Sequence, residues 1–162
     1  PTEARPDVLV YRTPPLERDT EVTGPITVHL WATSSAPDTD FVARLTDVFP
    51  DGRAINLTDG IVRARYRDFA NGAPSSLIEP GRPYEYTIDL WATSNVFKAG
   101  HRVGLQVTSS NFPRWDRNPN TGHPFGADAE LRVAQQQILH DREHPSRVVL
   151  PLVEDSGLRT ED

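Results

Sequence analysis

The chain has 162 residues, 36% of them hydrophobic and 25% charged, with 15 prolines, which fits a turn-rich globular domain and excludes a disordered one. A net charge of −6 argues against a nucleic-acid partner, which needs a basic face to neutralise phosphates. There is no cysteine, hence no disulfide and no thiolate metal site, and no apolar run of membrane-spanning length.

A chain of this size buries roughly 70% of its unfolded surface, so a single domain over 1–162 is expected, its core at about 8–153 and a polar tail at 154–162. The opening PTEARPD carries no initiator Met and no apolar signal region, which reads as an excised fragment or processed chain. The lack of cysteine favours the cytosol slightly over secretion, and the sequon Asn56-Leu57-Thr58 matters only in the secreted case.

Residues 1–7 read as loose. Asp7–Tyr11 forms a short strand that ends at Thr13-Pro14-Pro15, where proline removes ladder donors. Leu16–Thr23 is extended, and Gly24-Pro25 marks a turn. In Ile26–Thr33, Ile26, Val28, Leu30 and Ala32 share one face while Thr27, His29, Trp31 and Thr33 share the other, the period of two of a strand.

Asp38–Arg67 reads as two or three antiparallel strands. Phe41, Ala43 and Leu45 alternate with Val42, Arg44 and Thr46, the pattern of a half-buried strand. Pro50-Asp51-Gly52 combines a fixed φ, a side chain that bonds its own backbone and a residue free to take positive φ. Thr58-Asp59-Gly60 repeats this chemistry and predicts a second turn. Arg63, Arg65 and Arg67 then fall on one face, to be solvated or paired with acids.

Phe69–Pro83 is loop, with a turn at Pro80-Gly81. Tyr86–Ser94 repeats LWATS from the earlier strand, which reads as two similar strand positions and not as a solenoid. Arg102–Ser109 alternates again, and Gly104 within it points to a bulge or a close approach by another backbone. Ser110 to about Ala129 is irregular and long enough to suggest function, with Phe112, Trp115 and Phe125 set among polar residues. Leu131–His140 and Arg147–Val153 close the chain as a hairpin across Asp141–Ser146. Asp128–Leu139 is the one stretch that can also be written as a helix. The whole indicates an all-β fold, a jelly-roll β-sandwich.

The chain holds no G-x-S-x-G nucleophile elbow and neither phosphate-binding glycine motif. His140-Asp141-Arg142-Glu143-His144 spells H-x-x-E-H, a zinc signature that requires both imidazoles on one helix face. Pro145 biases His144 away from helical dihedrals, so turn decoration is the better reading. Asp38, Asp40 and Asp47 could seed a calcium site but lack a glycine-anchored loop around them. His29 and His101 read as hydrogen-bonded residues, not ligands. No catalytic, cofactor-binding or metal residue is assigned, and no cofactor is expected.

Three phrases in order, DTDFVARLTDVFPDGRAINLTDGIVRARYRD, DLWATSNVFKAGHRVGLQVTSSNFPRWDRNPNTG and HDREHPSRVVLPLV, resemble the C-terminal domain of the X-Pro dipeptidyl peptidase and cocaine esterase group of serine hydrolases. The resemblance runs from Val8 to about Val153. It implies a galactose-binding-like jelly roll packed against an α/β-hydrolase domain that cleaves esters or amides through Ser, Asp and His. Those catalytic residues belong to the upstream domain, so this chain alone is expected to be inactive. The implied role is to buttress the catalytic domain, help shape its cleft and contribute to homo-oligomer contacts.

The segment SSNFPRWDRNPNTG is placed at that interface, with Asn111, Phe112, Arg114, Trp115, Asp116, Arg117 and Asn118 as contact residues. The alternative is a carbohydrate- or ligand-binding sandwich that uses Trp31, Trp91 and Trp115. No membrane partner is expected in either case.

Overall fold

The longest strand, β2 (Thr20–Ser34), carries one whole sheet of this computed structural model, which describes residues 2–124 and 126–153. Phe125 and the polar tail 154–162 lie outside the described residues. The other strands are β1 (Leu9–Arg12), β3 (Asp40–Val48), β4 (Ala54–Arg63), β5 (Tyr84–Phe97), β6 (Arg102–Thr108), β7 (Gln136–Leu139), β8 (Arg147–Val149) and β9 (Leu152–Val153). One sheet has the order β1-β6-β3-β4; the other has β5-β2-β7, with β8 and β9 also paired to β2. Every pairing is antiparallel.

The two sheets meet through the residues whose alternation predicted them, as an all-β sandwich. Ile26, Val28, Leu30 and Ala32 of β2, with Tyr86, Ile88 and Leu90 of the adjacent β5, face Phe41, Ala43 and Leu45 of β3, all buried in one cluster. The Phe41 and Tyr86 rings lie 4.6 Å apart. Each large side chain buried in this way contributes about 1.5–3 kcal/mol. The β3–β4 hairpin turns where expected: the Gly52 N–H donates to Phe49 O, the Asp51 carboxylate accepts from the Arg53 N–H, and Gly52 has φ +88°.

Several expectations are corrected. Gly24-Pro25 is not a turn, because β2 runs straight through it. The β2–β5 register shifts between Pro25 and Thr27, opposite Trp91, so proline's missing donor falls at an irregularity of the ladder. Trp91 has φ +64°, and the inward positions of β5 change parity across it, from Leu90 to Phe97. The two LWATS phrases are therefore not equivalent.

Thr58-Asp59-Gly60 is not a turn either. It continues β4, and Gly60 is needed because a Cβ there would sit 2.0 Å from the Asp89 carbonyl oxygen. Gly104 serves a side chain rather than a backbone, since a Cβ would meet Thr46 Oγ1 at 2.3 Å. β3 is covered on both faces, not half-buried.

The C-terminal strands do not form a hairpin. β7, β8 and β9 pair in turn with Trp31–Ser34, Thr27–His29 and Glu21–Val22, stepping down one edge of β2. Residues 128–135 are irregular and no helix forms there.

Candidate functional site

The long loop 110–129 packs on the outer face of β3 and β4. On that face Asp40 pairs with Arg63, Val42 with Ile61 and Arg44 with Asp59 across the ladder. Asp38, Asp40 and Asp59 are 0%, 1% and 3% exposed, so each carboxylate needs partners where it lies. Arg63 supplies a bidentate pair to Asp40, Nε to Oδ1 at 2.8 Å and Nη2 to Oδ2 at 3.0 Å. Arg65 binds Asp38 with its backbone N–H at 3.0 Å and its Nε at 2.8 Å.

The loop completes these pairs from above. Asn118 Nδ2 donates to Asp40 Oδ1 at 2.8 Å and Asp38 Oδ2 at 3.1 Å. Asn111 Nδ2 donates to Asp59 Oδ2 at 3.0 Å while its Oδ1 accepts from Arg44 at 2.9 Å. Arg114 reaches Asp59 Oδ1 at 3.2 Å, and Asp116 accepts from Arg63 at 3.1 Å. Burial pushes the Asp40 carboxyl above its usual range, against the pull of Arg63 and Asn118. The same carboxylate raises Arg63 further, which keeps the guanidinium charged.

The outward side of the loop is different. Phe112 is 65% exposed, Arg117 is exposed, and Trp115 is half-buried with the Arg114 guanidinium 4.9 Å from its ring centre. Arg117 borders two clefts, one shared with Val8, Val42 and Phe112, the other with Asp38, Tyr66 and His123. Further along, the Thr121 hydroxyl, the Glu130 N–H and His123 all bond Asp128 and hold its carboxyl below the usual range.

All seven predicted contact residues lie on this loop, but they divide: Asn111, Arg114, Asp116 and Asn118 turn into the network, Phe112 and Arg117 face outward, and Trp115 lies half-buried between. Arg44, Asp59, Thr121 and Asp128 were missed as anchors. The turn chemistry of Thr58-Asp59-Gly60 masks the role of Asp59, and nothing in the sequence marks its partners. The expected shared face of Arg63, Arg65 and Arg67 does not form, because β4 ends at Arg63 and Ala64–Tyr66 is a 3-10 turn. The first two do pair with acids. Arg67 also pairs with an acid, Asp68 at 3.4 Å, and donates to the carbonyls of Ala64 and Ser76.

Asp38 and Asp40 hold guanidinium groups, and Asp47 lies apart on His101 Nδ1 at 2.9 Å, so the three acids do not converge. His29 faces Glu85 at 3.4 Å. The H-x-x-E-H stretch is a bend: Asp141 Oδ1 accepts the N–H groups of Glu143 and His144. Its two imidazoles part, His140 towards Tyr11 and His144 towards Trp31. Of the three tryptophans, Trp91 alone presents most of its surface, at 68% exposed.

This is a β-sandwich module whose longest loop is a structured surface pinned by buried ion pairs. The chain belongs to the X-Pro dipeptidyl-peptidase C-terminal non-catalytic domain family, which it matches over residues 1–149. It is 52% identical over 155 residues to cocaine esterase of Rhodococcus sp. (strain MB1 Bresler), covering 94% of this chain and 27% of that protein. Among solved structures, an aminopeptidase from a marine sediment Thaumarchaeota archaeon superposes with a TM-score of 0.87 at 34% identity, covering 94% of this chain and 27% of that one. An α-amino acid ester hydrolase superposes at 0.86 and 33% identity, covering 94% and 26%. The chain thus spans about a quarter of the length of these relatives.

Proposed function

We propose that this domain works beside an α/β-hydrolase-type catalytic domain of the same polypeptide, one that cleaves esters or amides through a serine nucleophile. It docks on that domain through the outward side of the 110–129 loop and helps wall the substrate cleft. The observation that carries this reading is the division of the loop. Its Asn111 and Asn118 amides are tied down onto Asp59, Asp38 and Asp40 while Phe112 is held 65% exposed and Arg117 faces outward. A rigid loop that presents an aromatic anchor with a neighbouring arginine has the composition of an interface centre. That the relatives are several times longer and bear esterase and aminopeptidase names supports the partner and the reaction class.

In the longer protein, Phe112→Ala and Arg117→Ala are expected to lower the melting temperature or raise KM, while the 162-residue chain alone turns over no ester. Unchanged stability and kinetics in both variants would remove the loop from the interface. Ester turnover by the chain alone, abolished by replacing one of its serines, would remove the reading altogether.

A further inference from the structure

Tyr11 and His140 face each other across the open side of the sandwich, away from the 110–129 loop. Tyr11 lies in β1, at the edge of one sheet, and His140 directly follows β7 in the other. Their rings meet edge to face at 5.4 Å, with Tyr11 Oη 3.4 Å from His140 Nε2. Beside this pair the sheets stand apart around a cleft of about 320 Å³. Its walls include Val28, Leu30 and Val148 from one sheet and Val103, Leu105 and Val107 from the other.

Val28, Leu30 and Val107, at 1%, 2% and 3% exposed, belong to the packed core beneath the cleft, and the half-buried Leu105, Ile138, Val148 and Leu150 form its open apolar walls. An apolar molecule that enters the cleft takes these walls out of water and adds dispersion contacts to them. The volume falls at the small end of ligand sites, roughly 300–1,000 Å³.

The polar groups that border the cleft are mainly donors. Among the described residues, the Tyr11 hydroxyl bonds only the His140 ring, at the long distance of 3.4 Å. Arg147 has Glu85 at 3.7 Å and the Pro145 carbonyl at 3.2 Å. Arg12 is already matched by Glu3 at 2.6 Å, and His29 by Glu85 at 3.4 Å. An apolar body between the sheets, with an acceptor head at Tyr11 and Arg147, suits this arrangement.

We propose that the cleft binds a small apolar carboxylate, its chain between the sheets and its carboxylate on Tyr11 and Arg147. This is independent of the proposed docking of the loop. The test titrates butyrate, hexanoate, octanoate and 1-octanol into the 162-residue chain while following its methyl NMR signals. The expected result is saturable shifts at Val28, Leu105 and Val148, with the Kd falling about fourfold per added methylene. Tyr11→Phe should weaken octanoate about tenfold and leave octanol nearly unchanged. Leu105→Phe, which fills the cleft, should abolish both.

No saturable shift, equal affinity at every chain length, or shifts confined to the Phe112 side would overturn the proposal. So would undiminished binding by a folded Leu105→Phe chain. Should that variant fail to fold, Leu150→Phe from the opposite wall replaces it under the same criterion.

Discussion

Asn118 donates its side-chain amide to Asp40 at 2.8 Å, and so ties the longest loop of the chain to the first residue of a central strand. The same nitrogen reaches Asp38. Two buried carboxylates thus share one neutral donor, and the position of the loop depends on that nitrogen.

Asn118→Ala leaves both carboxylates short of a donor and is expected to destabilise the fold by about 2 kcal/mol, the cost of unsatisfying buried charged acceptors. Urea unfolding measures this. Asn118→Asp should cost more, since it sets a third carboxylate against two. An Ala variant within error of the wild type would show that solvent replaces the amide without loss.

Gly60 is the least replaceable glycine. Its missing Cβ would lie 2.0 Å from the Asp89 carbonyl oxygen, a backbone atom that cannot turn aside. Gly60→Ala should therefore destabilise by about 3 kcal/mol or more, as overpacking does. Gly52→Ala meets no atom within 4 Å and bears only the strain of φ +88°, about 1–2 kcal/mol. Thermal melts that reverse this order would refute the close approach of β4 to β5.

Trp91 holds a left-handed conformation at φ +64° while 68% exposed, so its ring recovers little of the backbone cost. Asparagine tolerates that conformation better. Trp91→Asn is expected to stabilise the domain by about 0.5–1 kcal/mol, read as a higher urea midpoint. A drop instead would mean that the indole packs more strongly than its exposure implies.

Asp128 makes one part of the loop sensitive to acid. Its folded pKa is lowered by the Thr121 hydroxyl, the Glu130 N–H and His123. The stabilisation is therefore present above the unfolded value of about 3.9 and is lost as pH falls through the lowered folded value. Asp40, which burial raises, acts in the opposite sense, and its contribution grows as pH falls. Asp128→Asn should flatten the acid limb of stability for the 121–130 segment, followed by backbone NMR from pH 5 downward. An unaltered limb would place the acid sensitivity elsewhere.

How much of this was legible before the fold depended on whether the signal was local. The alternation in Ile26–Thr33 and Phe41–Leu45 named the inward residues correctly, because side-chain period is a property of the strand itself. Pro50-Asp51-Gly52 turned as its chemistry requires. Thr58-Asp59-Gly60 has similar chemistry and did not turn, because its glycine answers to Asp89 on the opposite sheet. The loop was legible as a candidate from its length and aromatics, but its anchors were not. Asn111 finds Asp59, and Asn118 finds Asp38 and Asp40, only once β6 has paired with β3.

By itself, the order of residues determined an all-β chain, most of its strands, their inward faces and the loop that would matter. Tertiary structure alone decided that β7, β8 and β9 share the edge of β2, that the two tryptophans of the repeated phrase differ, and which arginine serves which aspartate. The reason is physical: pattern and turn chemistry act between near neighbours, whereas pairing, register and buried charge are settled by segments that meet only when the sheets close.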